Sequence, residues 1–177
     1  MTGLYIHVPF CRRKCLYCDF YSQTDLSLTD SYVKAVVRNI RAANITADTV
    51  YFGGGTPSLL SGAQIYDILS AADISADAEI SAECNPDSAT LQLMRNFRAA
   101  GINRLSIGIQ SFNDDELKMM GRLHNSRQAA EAIQNAQKAG FENISADLML
   151  GLPYQTEETV RDNIRKLAEL NVTHISA

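Results

Sequence analysis

Short apolar runs alternate with amphipathic helical patterns along almost the whole of this sequence. That alternation constrains the fold class before any motif is read. The runs at 4–8, 49–52, 78–82, 104–109, 144–150 and 172–176 are expected as strands, nearly continuously apolar because both faces are covered. Between the first two, Val33, Val36, Val37 and Ile40 recur at i, i+3, i+4 and i+7 and give a helix over 32–43 one apolar face. Ser61 and Gln64 make a capping-box pattern ahead of Ile65, Ile68 and Leu69. A helix over 88–100 carries Leu91, Met94 and Phe97, with Asp87 or Ser88 as its cap and Gly101 as its stop. A helix over 126–139 stops at Gly140, and Thr156 opens a last one carrying Val160, Ile164 and Leu167. Strand then helix, five times over, followed by a sixth strand, is the pattern of a parallel α/β fold. A barrel-like curl and an open doubly wound sheet both satisfy it.

The chain has 177 residues, and 16 Lys plus Arg against 20 Asp plus Glu leave a formal charge of −4. The length suits one domain around one core, over 1–177. The mild acidity offers no basic stripe for nucleic acid. No apolar run reaches the roughly 18 residues of a membrane span. Residues 1–7 lack a basic region followed by a long apolar stretch, so no signal peptide is expected and a cytoplasmic location is. The sequence stops just after the sixth strand, before any helix that would cover it. A fragment truncated at its C-terminal side is therefore the expectation.

Three of the four cysteines fall within eight residues, as Cys11-x3-Cys15-x2-Cys18, in the loop after the first strand. In a reducing compartment such clustering points to metal or redox chemistry rather than to a disulfide framework. Three closely spaced thiolates can hold three irons of a 4Fe–4S cluster and leave the fourth iron open to a non-protein ligand. Arg12, Arg13 and Lys14 between them offset negative charge and favour thiolates. Zinc held by these three with Cys84 is the competing assignment, giving a zinc-stabilised barrel of unrelated function, and three unligated thiols the other.

Gly53-Gly54-Gly55-Thr56-Pro57 follows the second strand, where bare backbone N–H groups can approach a polar ligand. A tight turn is the plainer reading of the same residues. Glu83 and Asn85 close the third strand, Gln110 and Ser111 the fourth, and Asp147 lies in the fifth. Polar residues thus recur near the carboxyl ends of successive strands, where α/β barrels build their sites. Arg122 sits in a glycine turn and reads, alone, as a surface charge. His7, His124 and His174 form no metal or triad pattern, and nucleotide-loop and nucleophile-elbow motifs are absent.

Tyr5-Ile6-His7-Val8-Pro9-Phe10-Cys11 with the cysteine spacing, followed by Gly53-Gly54-Gly55-Thr56-Pro57, resembles the radical S-adenosylmethionine (SAM) superfamily. Glu83-x-Asn85-Pro86, the run 104–112 and the run 147–153 extend the match. They resemble the branch holding the oxygen-independent coproporphyrinogen III oxidases and the HemW haem chaperones. The resemblance implies a partial (β/α)6 TIM-like barrel and a 4Fe–4S cluster on Cys11, Cys15 and Cys18. It implies SAM chelating the open iron through its amino and carboxylate groups. The SAM contacts carried over are Tyr5, Tyr17, Gly54, Gly55, Thr56, Glu83, Gln110, Arg122 and Asp147. Glycine backbone would meet the methionyl end, an arginine its carboxylate, and Glu83, Gln110 or Asp147 the sugar hydroxyls. Cys84 occupies the variable position of its motif and is not expected to be a ligand.

The oxidases carry a further cysteine two residues after the third, where this chain has Phe20. They also carry an N-terminal arm, for which about three residues before the first strand leave too little chain. Both departures favour the haem chaperones. That side of the branch implies haem as cargo, a haem-acceptor protein and an electron donor, with cluster and SAM retained. The other side implies SAM-dependent oxidative decarboxylation of coproporphyrinogen III to protoporphyrinogen IX in porphyrin biosynthesis.

Overall fold

The computed structural model describes residues 2–177. Its strands are β1 (Gly3–Val8), β2 (Thr46–Gly54), β3 (Asp73–Cys84), β4 (Arg104–Gln110), β5 (Asn143–Leu148) and β6 (His174–Ser176). They form one six-stranded sheet in sequence order, and every neighbouring pair is parallel. A doubly wound sheet reverses its order at a switch point. Consecutive order throughout is that of a barrel wall, here left open between β1 and β6. The partial (β/α)6 barrel is the architecture, and the doubly wound alternative falls away. Among the described residues no helix is long and apolar enough to cross a membrane.

The helices are α1 (Thr29–Ala43), α2 (Gly62–Leu69), α3 (Leu91–Ala100), α4 (Asp114–Met119), α5 (Ser126–Lys138) and α6 (Glu157–Glu169). The Ser61–Gln64 capping box forms as the sequence indicates, and Gly101 ends α3 with φ +114°. One core joins the strands to the helices: Ile6, Val8, Val50, Phe52, Ala82, Leu105 and Ile107 pack with Ile40, Ile65, Met94, Phe97, Ile133 and Leu167. Each large side chain buried there contributes on the order of 1.5–3 kcal/mol.

The opposite face of the sheet departs from the expectation of strands apolar on both sides. Tyr5 and His7 alternate with the buried residues of β1, and Tyr51 with those of β2. Ser81 and Glu83 do so in β3, Arg104, Ser106 and Gln110 in β4, and Ser145 and Asp147 in β5. Successive strand side chains point to opposite faces, so these residues share one. The register sets Glu83 beside Ser106 and Ser106 beside Ser145. This face is polar because it looks into the barrel and its cavity, whereas the helices cover only the other.

Two expectations about helices change. α3 begins at Leu91, capped by the Thr90 hydroxyl, which accepts from Leu93 N at 3.2 Å. Asp87 and Ser88 lie in the turn before it: Ser88 Oγ donates to Asn85 O at 2.9 Å, and Asp87 meets Arg12 at 3.5 Å. Their side chains are engaged elsewhere, so the helix starts three residues after Ser88. α4 is an added short helix, started by Asn113 and an acidic first turn that suits the positive end of a helix dipole. The sixth strand is shorter than expected: Val172 N still bonds back to Leu167 O of α6, and Thr173 N, although it reaches Ile144 O of β5, precedes the strand, which begins at His174.

Candidate cofactor site

The carboxyl ends of the strands surround a cavity of about 580 Å³, within the range of small-molecule sites. The cysteine loop forms one wall. It is pinned at both ends, Cys11 N donating to Gln23 O at 2.9 Å and Gln23 N to Pro9 O at 2.8 Å. In its middle Leu16 N donates to Met120 O at 3.2 Å. Cys11, Cys15 and Cys18 all line the cavity. Cys11 is buried, and the other two are partly exposed.

Gly54 and Gly55 form the facing wall. Gly55 N donates to Val8 O at 2.8 Å. A Cβ on Gly55 would lie 2.7 Å from Phe10 O and 2.9 Å from Val8 O. The missing side chain is therefore what lets this turn lie against the start of the cysteine loop.

Two carboxylates close the floor. Glu83 accepts from Tyr51 Oη at 2.9 Å and from Gly54 N at 3.2 Å. Burial pushes its carboxyl above the usual carboxylate range, and those two donors pull it back. Asp147 accepts from Ser106 Oγ at 2.9 Å, and burial likewise raises it against that hydrogen bond. Tyr17 is raised by burial, with Arg122 opposing. Gln110 enters from β4 with φ +65°, an uncommon value for a residue with a side chain. Ser111 N donates to Ile109 O at 2.8 Å across it, closing a three-residue turn of the rare positive-φ kind.

All the residues expected at the site line this cavity except Tyr5. Tyr5 stands outside it, with Oη 3.2 Å from His7 Nδ1 and its ring stacked on Tyr51. Arg122 is no solvated surface charge. Its guanidinium donates to Gly108 O at 2.7 Å and Asn85 Oδ1 at 2.9 Å, and reaches Tyr17 Oη at 3.3 Å and Cys15 Sγ at 3.7 Å. Ser106, Gly108, Asn85 and Met149 also line the cavity and were not singled out as contacts. The alternation Arg104, Ser106, Gly108, Gln110 was the signal available for Ser106 and Gly108. Tyr51 was missed as the partner of Glu83, because only strand pairing brings them together.

Among the described residues, no three His, Cys, Asp or Glu side chains gather closely enough for a single metal ion. Cys84 lines the same cavity, but the described residues hold no gathered four-cysteine zinc set; its buried thiol is pushed up to about 12, and its sulfur donates to Asn85 O at 3.6 Å. The donor chemistry suits a cluster, with three thiols on one loop and hydroxyl and guanidinium donors directed at two of the sulfurs.

Residues 5–167 match the Radical SAM superfamily. The chain belongs to that superfamily. Radical SAM proteins use a 4Fe–4S cluster and SAM, which the three thiols and the adjoining cavity fit. Within the superfamily, the chain is 38% identical to the haem chaperone HemW of Escherichia coli over 98% of its length, and 36% identical to that of Lactococcus lactis over 99%. It covers 49% and 48% of those proteins, so it spans about half the length of the relatives it matches. Among solved structures, the radical SAM enzyme coproporphyrinogen III oxidase (HemN) of Escherichia coli superposes with a TM-score of 0.85 at 28% identity, over 99% of this chain and 44% of that one. Methylornithine synthase, at 11% identity and a TM-score of 0.68, shares the fold.

Proposed function

We propose that this chain is the cofactor-binding part of a cytoplasmic haem chaperone of the HemW kind, which holds haem and passes it to an acceptor protein. The support is the identity to HemW proteins across almost the whole chain, joined to one geometric observation: the three cysteines and the Gly54-Gly55 turn line a single cavity. Cys11, Cys15 and Cys18 would hold the cluster. When bound, the cluster would supply one-electron chemistry and an open coordination site for SAM, with electrons coming from a donor protein.

This chain's own residues bind and orient. Gly54 and Gly55 offer unhindered backbone to the methionyl end of SAM. Glu83, Gln110 and Asp147, spread across three strand ends, line the cavity and would offer carboxylate and amide oxygens to accept from sugar hydroxyls. Ser106 and Tyr51 hold the two carboxylates in place. The buried strand ends keep the floor of the cavity drier than bulk water, which strengthens these polar contacts.

A second reading, SAM-dependent oxidative decarboxylation of coproporphyrinogen III, is favoured by the superposition on HemN. Incubating the cluster-loaded, reduced protein with SAM and either haem or coproporphyrinogen III separates the two. Stable haem uptake without product supports the chaperone. Catalytic release of protoporphyrinogen IX overturns it.

A further inference from the structure

Asn85 lies between two hydrogen-bond donors that each reach a cysteine sulfur. Its Nδ2 donates to Thr56 Oγ1 at 3.1 Å, and Thr56 Oγ1 lies 3.4 Å from Cys11 Sγ. Its Oδ1 accepts from Arg122 Nη2 at 2.9 Å, and Arg122 Nη1 lies 3.7 Å from Cys15 Sγ. The geometry points to Asn85 as a positioning residue that aims the Thr56 hydroxyl at Cys11 and the Arg122 guanidinium at Cys15, and so raises the reduction potential of the cluster held by those sulfurs. This rests on the proposed cluster and adds to it a residue with no contact of its own to the sulfurs.

The hydroxyl of Thr56 has one proton. Because its oxygen accepts from the Asn85 amide, that proton is free to point at the buried Cys11 sulfur. Thr56 is 3% exposed, so water does not compete for it. On the other side, the Asn85 oxygen and the Gly108 carbonyl together hold Nη2, which fixes the plane of the guanidinium and turns Nη1 toward Cys15. Gly108 has no side chain to intrude: a Cβ there would stand 3.3 Å from Nη2 and 3.4 Å from Asn85 Oδ1. Asn85 is itself anchored, its N–H donating to Ser58 Oγ at 3.1 Å, and Ser58 meets Ser88 Oγ at 2.6 Å. Reduction adds an electron to the cluster, and part of that charge falls on its sulfurs. Donors aimed at ligand sulfurs stabilise it, which moves the potential upward.

The test is an EPR-monitored dithionite titration of the cluster-loaded protein without SAM, which reads a midpoint rather than an activity. Asn85→Leu keeps the branched shape, with more bulk, and removes both amide contacts. It is expected to lower the equilibrium constant for reduction about tenfold, about 59 mV for one electron. Thr56→Val removes one arm and shifts the midpoint the same way by less. The double variant falls no lower than Asn85→Leu, because Asn85 acts through Thr56. A wild-type midpoint in Asn85→Leu, or full additivity in the double variant, overturns the inference. If Asn85→Leu does not load, Asn85→Asp takes its place in the cycle: its carboxylate draws the Thr56 proton to itself, so Thr56→Val has no further effect on that background. An undiminished effect of Thr56→Val there overturns the inference. Wild-type protein that takes up no iron and sulfide overturns the cluster reading itself, a result distinct from an unshifted midpoint.

Discussion

The imidazole Nε2 of His124 lies 3.1 Å from the carbonyl oxygen of Ile109, the residue that opens the positive-φ turn at Gln110. The same carbonyl accepts from Ser111 N, and Gln110 O accepts from Met149 N at 2.9 Å. A histidine outside the cavity thus holds the backbone that carries a cavity residue. Burial lowers its pKa to about 4, so the ring is neutral with its proton on Nε2, and Nδ1 has no hydrogen-bond partner among the described residues. His124→Phe is expected to weaken SAM binding several-fold through Gln110 while leaving iron content unchanged, read by equilibrium dialysis and iron assay.

The same histidine gives a pH signature. Its folded pKa of about 4 lies below the ordinary 6.5. Below about pH 6.5 the unfolded chain takes up a proton that the folded chain refuses, so stability falls as pH drops toward 4. The full difference is on the order of 3 kcal/mol, from about 1.4 kcal/mol per pKa unit. Urea melts should show the stability advantage of wild type over His124→Phe largest above pH 6.5 and shrinking as the pH approaches 4. A constant gap across that range contradicts the buried neutral ring.

With SAM placed as proposed, Tyr51 would act on its binding through Glu83. Its hydroxyl donates to Oε1 and opposes the rise that burial causes in the carboxyl. Tyr51→Phe removes that donor, so the Glu83 pKa rises further. The acid limb of SAM binding should then move to higher pH, with affinity at neutral pH reduced a few-fold. Titration calorimetry over a pH series checks this, and an unmoved acid limb counts against an ionised Glu83 in the site.

Gly55 has no room for even a single methyl group. Alanine there would put a Cβ 2.7 Å from the Phe10 carbonyl, which is backbone and cannot rotate away. Gly55→Ala should cost about 1–3 kcal/mol, the usual range for overpacking. It should also lower iron uptake, because the strain falls on the residue before Cys11. Urea melts and iron assay read the two effects; stability and loading equal to wild type would show that β1 yields freely.

The fold was legible in the sequence because helical and strand periods alternate cleanly, and the Ser61–Gln64 and Gly101 signals gave element ends directly. The choice between barrel and doubly wound sheet was not legible, since both repeat the same unit and differ only in which strands pair. The polar face of the sheet was present as period-two alternation in β4, but short strands with small residues such as Ser106 and Gly108 blur it. At the site, the residues carried over by the resemblance line one cavity, apart from Tyr5. Arg122 could not be read from its neighbours, because Gly108 and Asn85 fix it from 14 and 37 residues away. His124 was equally opaque: its partner is a backbone carbonyl 15 residues earlier.

The proposed cluster sits on Cys11, Cys15 and Cys18, with Cys84 excluded. Cysteine-to-alanine variants at 11, 15, 18 and 84, reconstituted anaerobically and assayed for iron and acid-labile sulfide, test it most directly. Iron and sulfide are expected in equal amounts in wild type and in Cys84→Ala, with an EPR signal that changes when SAM is added, and the cluster is expected to be lost in each of the other three. Zinc without labile sulfide in wild type, or loss of the cluster in Cys84→Ala alone, would contradict it.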